Sequence, residues 1–309
     1  MVCPGHNRGI VELQYSAVNE DGVFMVSACL DGKPMLRDGA SGDWVGTFEG
    51  HKGAVWSACI NRDATLVATG AAEFSARLWD AVTGDCRHVF SMKHICKSVA
   101  LANDSQRLLA GGNMPSLSLF DLNAPEATPA LFPYSSRHAT KIAQFIDGSS
   151  DLFMSAGSSE MLHLWDARLA PEKAEVRTLR LSGTVKSGEM SRDGRFLTLV
   201  TSNEELECWD MVALEKIRSF ALPAATESAS VHRECGRWVC GGQDLTVRVF
   251  DYASGQMLES HRGHHGPVWV LRFAPDGRTF SSGSDDGTIR IWQTSPTPNT
   301  VIESAIVFE

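Results

Sequence analysis

GHHGPVWVLRFAPDGRTFSSGSDDGTIRIWQ, residues 263–293, decides how this chain folds. It opens on Gly263-His264 and carries two short apolar, alternating runs separated by a Pro275-Asp276-Gly277 turn. A tight turn at Asp285-Asp286-Gly287-Thr288 then leads to a close on Ile291-Trp292. Alternation over five or six residues between turn formers is the pattern of half-buried strands, because successive side chains of a strand point to opposite faces.

The unit recurs. Its closing pair stands as Arg37-Asp38, Trp79-Asp80, Phe120-Asp121, Trp165-Asp166, Trp209-Asp210, Phe250-Asp251 and Trp292-Gln293, at spacings of 42, 41, 45, 44, 41 and 42 residues. Gly-His openings survive at Gly5-His6, Gly50-His51 and Gly263-His264, and turn residues persist at Asn103-Asp104, Asp147-Gly148, Asp193-Gly194 and Cys235-Gly236. A period of about 40–45 residues closing on Trp-Asp is that of four-stranded propeller blades. We therefore expect an all-β, seven-bladed WD-repeat β-propeller with blades at about 5–49, 50–90, 91–134, 135–180, 181–220, 221–262 and 263–309. A blade cannot bury its faces alone, so the 309 residues should form a single domain. Only four residues precede Gly5, whereas TVIESAIVF at 300–308 has strand character, so blade 7 is expected to be completed by the C-terminal strand. Pro-containing stretches at 125–129, 170–173 and 295–298 are expected to be loops between third and fourth strands.

The chain is 43% hydrophobic and carries a net charge of -9, a balance that suits a globular protein and argues against a broad phosphate-binding surface. Eight cysteines fall singly with no C-x-x-C pair, which reads as reduced thiols of a cytoplasmic or also nuclear protein. Nothing approaches a run of about 20 apolar residues, so no membrane insertion is expected, and the propeller should be monomeric.

His264, Ser282 and Asp286, with Trp292 nearby, have the inventory of a hydrolase triad. The same types recur as His51, Thr69, Glu73 and Trp79, and as His6, Ser27 and Asp31. An active site has no reason to repeat around a ring, whereas a structural hydrogen-bond relay does. Phosphate loops, HExxH and zinc spacings are absent from the sequence, so we expect no enzyme, no cofactor and no metal. Aligning the repeats on their turns picks out the residue after the first position of each inner strand: Val11, Trp56, Lys97, Lys141, Lys186, Glu227 and Trp269. These should ring one mouth of the central channel, where aromatic anchors beside a lysine arc suit an acidic partner segment. Packing tryptophans and water-held channel lysines would give the same residues, and so would direct RNA binding by the arc, which predicts steep salt dependence.

Three stretches, DGKPMLRDGASGDWVGTFEGHKGAVW (31–56), ATGAAEFSARLWDAVTGD (68–85) and APDGRTFSSGSDDGTIRIWQT (274–294), resemble the serine/threonine kinase receptor-associated protein family, including Arg37 in place of a tryptophan and Gln293 in place of an aspartate. That resemblance implies a scaffold without catalysis. Its expected partners are gemin-like components of the survival-of-motor-neuron complex, which assembles spliceosomal small nuclear ribonucleoproteins, or a receptor kinase, with RNA contacted indirectly. The i subunit of translation initiation factor three is a related pattern and the alternative scaffold reading.

Overall fold

The computed structural model describes residues 1–134, 139–146, 148–191 and 193–294. Within them the chain forms seven four-stranded antiparallel sheets. The inner strands are Ile10–Tyr15, Val55–Ile60, Cys96–Leu101, Thr140–Phe145, Val185–Met190, Thr226–His232 and Val268–Phe273. Each packs against the next and the last against the first, which closes a ring of seven blades around a central channel. Of the proline-containing stretches, 125–129 is a loop, Pro171–Lys173 is one turn of 3-10 helix, and 295–298 lies outside the described residues. No described helix is long and apolar enough to cross a membrane.

Closure differs from the sequence expectation. The outer strand of blade 7 is Val2–Cys3, in register Val2↔Arg290 and Cys3↔Ile289. The Met1 ammonium donates to the Ile291 carbonyl at 2.8 Å, and the Ile291 N–H donates back to Met1 at 3.0 Å. Cys3 is buried with Ile10, Ile289 and Ile291. So short a strand holds because its continuation is tied to blade 1: the buried Arg37 guanidinium donates to the carbonyls of Pro4 and Gly42. The residue that replaces the blade 1 tryptophan thus fastens the N-terminal strand, a role that counting residues ahead of Gly5 could not show. Residues 300–308, to which the outer strand had been assigned, lie outside the described residues.

The core is distributed over the blade junctions. A cross-strand pair on the second and third strands of one blade meets the sixth inner-strand residue of the next: Val26 and Leu36 with Ile60, Leu109 and Leu119 with Phe145, Val239 and Val249 with Phe273. Serine hydroxyls stitch neighbouring inner strands. Ser57 accepts from Val99 N–H at 3.2 Å, Ser98 from Ala143 N–H at 2.9 Å, and Ser228 from Leu271 N–H at 3.1 Å.

Within blades, the repeated polar residues are hydrogen-bonded. Thr69 accepts the Trp79 indole N–H at 2.8 Å and meets His51 Nε2 at 2.6 Å, while His51 Nδ1 lies 2.7 Å from Glu73. Blade 7 repeats this with Trp292, Ser282, His264 and Asp286 at 2.8, 2.7 and 3.1 Å. Blade 5 lacks the histidine yet remains polar: the fully buried Glu207 accepts from Trp209 Nε1 at 2.8 Å, from Ser182 N–H at 2.9 Å and from Lys216 Nζ at 3.2 Å. Blades 3 and 6 carry rings instead, Phe120 against Phe90 of blade 2 and Phe250 stacked on Trp238 at 3.9 Å.

Burial holds His51 and His264 below the usual imidazole range, although their carboxylate partners pull the other way. Burial opposes ionisation of Glu73, but hydrogen bonds from the Lys52 N–H, His51 and Ser75 outweigh it and lower the carboxyl to about 2. All three groups bind protons more readily in the unfolded chain. Their contribution is therefore present at neutral pH, begins to fall as pH drops below about 6.5 and falls further below about 4.5. Thermal unfolding should show a lower Tm at pH 5.5 than at pH 7.5, with a smaller drop in His51→Gln. Thr69→Val strands two buried donors or acceptors and should cost about 1–3 kcal/mol in urea titrations. Deleting residues 1–3 should lower Tm by several degrees in calorimetry, because it strips the outer edge of the 289–291 segment.

Candidate functional site at the upper mouth of the channel

In every blade the ladder between the first two strands slips once, between the first and third residues of the inner strand. The extra residue is Val11, Trp56, Lys97, Lys141, Lys186, Glu227 or Trp269. A bulge leaves one residue out of the pairing and re-aims its side chain. The register singled out by counting from the turns is therefore the register that the backbone turns out of the sheet. Val11, Trp56, Lys97, Lys141, Lys186 and Trp269 line one cavity of about 510 Å³ that continues down the channel. Glu227 is not part of that lining and instead accepts from Gln243 Nε2 at 2.8 Å.

The lysines are not equivalent. Lys186 is neutralised by Glu204 at 3.0 Å and donates to the Thr226 carbonyl at 3.0 Å. Lys97 lies over the Trp56 ring, 5.4 Å from its centroid. Neither Lys97 nor Lys141 has a carboxylate within ion-pair distance among the described residues. Enclosure by the channel lowers the Lys141 ammonium from its ordinary range; Lys97 and Arg272 push the same way, against Glu12 and Glu227. Its side chain still reaches solvent along the channel. Trp269 donates to Asp285 at 3.2 Å, while the buried Trp56 indole nitrogen has no hydrogen-bond partner among the described residues.

Two residues below the mouth escaped the sequence reading. Arg272 pairs with Glu12 at 2.6 Å across the blade 7 and blade 1 junction and donates to the Gly188 carbonyl at 3.1 Å. The available signal was a charge inside the otherwise apolar run VWVLRF. The mouth thus offers two indoles and two ammonium groups without ion-pair partners among the described residues, an arrangement suited to carboxylates on an extended segment. By contrast Ser282 is fully buried and its oxygen already accepts the Trp292 N–H, so the His264 group presents no hydroxyl to a substrate.

Seven bulged, four-stranded blades closed into a ring define a WD-repeat β-propeller, and the WD domain, G-beta repeat family matches residues 42–80 and 255–293. The chain is 44% identical over 294 residues to the serine-threonine kinase receptor-associated protein of Homo sapiens, covering 95% of this chain and 82% of the relative. The protein of the same name from Dictyostelium discoideum is 39% identical over 295 residues, covering 95% and 98%. The chain belongs to the serine-threonine kinase receptor-associated protein family. Eukaryotic translation initiation factor 3 subunit I of Culex quinquefasciatus is more distant, 24% identical over 317 residues with 94% and 95% covered.

Removing the Lys141 charge should relieve repulsion within the channel. Lys141→Met is expected to leave Tm unchanged or raise it, measured by circular dichroism at low salt.

Proposed function

We propose that this chain is a non-catalytic scaffold that receives an acidic segment of a protein partner at the upper mouth of its channel. The observation that carries the reading is the bulged ring, in which Lys97 and Lys141, beside Trp56 and Trp269, have no carboxylate in ion-pair distance among the described residues. The setting we propose is the cytoplasm, and also the nucleus, within the survival-of-motor-neuron complex that assembles spliceosomal small nuclear ribonucleoproteins. The partner would be a gemin-like component. Family membership supports the scaffold class. RNA contact is indirect in this reading, because two channel lysines on a chain of net charge -9 release too few counterions for tight phosphate binding.

A scaffold like subunit I of the initiation factor is the second reading, favoured by full-length but more distant similarity. The relatives' name supports a third, an adaptor for a receptor kinase.

Affinity purification from cell extract followed by mass spectrometry separates these. Wild type should recover Sm and gemin-like proteins, with recovery reduced at least tenfold by Trp56→Ala/Trp269→Ala and by Lys97→Glu/Lys141→Glu. Initiation-factor subunits in their place would favour the second reading. Undiminished recovery by a folded double variant would remove the mouth as the docking face.

A further inference from the structure

Blades 1, 2 and 7 each carry a histidine relay, and strand register sets their members side by side. The hydroxyls of Ser27, Thr69 and Ser282 meet the Nε2 atoms of His6, His51 and His264. Their cross-strand partners are Met35, Arg77 and Arg290. Opposite the first residue of the inner strand stand Cys29, Ala71 and Ser284. Blade 1 therefore departs from the other two at three places: Arg37 replaces the tryptophan, Met35 the arginine, and Cys29 the alanine or serine.

Each departure suits a cation. In blades 2 and 7 the indole N–H donates to the relay hydroxyl, which then donates to Nε2 and leaves the ring proton on Nδ1, facing the carboxylate. In blade 1 Arg37 turns instead to the carbonyls of Pro4 and Gly42. The Ser27 hydroxyl lies 3.3 Å from the Met35 carbonyl and 2.8 Å from His6 Nε2, so it can donate to the first and accept from the second. His6 can then hold its proton on Nε2 and present the lone pair of Nδ1. Beyond burial, Arg77 and Arg290 oppose a further positive charge at His51 and His264, whereas Met35 brings no charge to His6.

Cys29 supplies a soft donor at the same place. His6 Nδ1, Cys29 Sγ and an Asp31 carboxylate oxygen all lie within 4.8 Å of one another, and His6 Nδ1 is 3.0 Å from Asp31 Oδ2. Tetrahedral zinc, with bonds of about 2.0–2.3 Å, spaces its ligands about 3.3–3.7 Å apart, so about 1 Å of side-chain movement brings these three into place. The backbone N–H groups of Asn7 and Lys33 hold the Asp31 carboxylate at 3.1 and 2.9 Å, and Ser27 orients the imidazole from its far side. Such outer contacts are what fix a metal ligand's direction.

We propose that His6, Cys29 and Asp31 form a binding site for a divalent cation of the zinc class, with water in the fourth position. Cys29 binds as thiolate and its proton passes to solvent, so that thiolate and carboxylate together balance the two positive charges. His6 lies on the segment that continues from the Val2–Cys3 strand, whereas Cys29 and Asp31 belong to blade 1. The ion therefore staples the closing strand to the first blade, and its binding stabilises the closed ring.

The full chain, stripped with EDTA and dialysed, is titrated with cobalt(II) as a spectroscopic probe. One equivalent should produce a sulfur-to-cobalt charge-transfer band and the visible bands of tetrahedral coordination, and zinc should displace them. Cys29→Ser and Cys29→Ala, the residues of blades 7 and 2 at this place, should lose the sulfur band while circular dichroism shows them folded. His6→Gln should weaken loading at least tenfold; His51→Gln and Cys86→Ser should leave it unchanged. Zinc at about a hundredfold excess over Kd should raise the wild-type Tm by about 5 °C or more and leave that of Cys29→Ala unmoved. The proposal is overturned if the wild type gives no sulfur band, if the band persists in folded Cys29→Ser, or if Cys86→Ser removes it. Failure of zinc to displace cobalt would overturn it equally.

Discussion

Every blade of this ring carries an apolar face that only the next blade can cover. A cross-strand pair such as Leu109 and Leu119 has no use until Phe145 arrives from the following repeat. Burying a side chain of this size is worth about 1.5–3 kcal/mol, so the sheets are held by their neighbours more than by their own hydrogen bonds. That dependence explains why the serine hydroxyls of the inner strands reach across junctions to backbone N–H groups. It also makes the contents of each junction a choice: Tyr15 and Ser281 close one through a hydroxyl contact, while Thr198 and Cys208 pair across the strands of another with smaller side chains.

The polar interior shows one requirement met by different chemistry. A buried indole N–H needs an acceptor. In blades 2 and 7 it finds a threonine or serine backed by histidine and carboxylate; in blade 4 Ser155 accepts from Trp165 at 3.0 Å; in blade 5 Glu207 serves directly and is itself stabilised by Lys216 and a loop N–H. Residues that look like a catalytic triad in one repeat are thus one solution among several to an architectural demand. The bulged positions, by contrast, are where ring-mates differ in charge and size.

The number of blades was legible because Trp-Asp and its substitutes mark each third strand, and turn residues mark the rest. The ring of Trp56, Lys97, Lys141, Lys186 and Trp269 was legible by offset alone, since every inner strand bulges at the same place. What stayed hidden were contacts between distant repeats. Nothing local in the sequence links Arg37 to Pro4, or Lys186 to Glu204, or shows that Arg272 faces Glu12. The pairing of Thr198 with Cys208 could likewise be read only once strand register was known.

The Val2–Cys3 strand has a consequence for how the protein is made. Its pairing partner, Arg290, is synthesised 288 residues after Val2. Until that partner is made, the Val2–Cys3 strand has nothing to pair with and the ring cannot close. Ring closure therefore waits for residue 290 and brings together chain segments 288 residues apart, which carries a large loop entropy. Before closure, the apolar blade faces that have no neighbour are the surfaces a chaperone would have to shield.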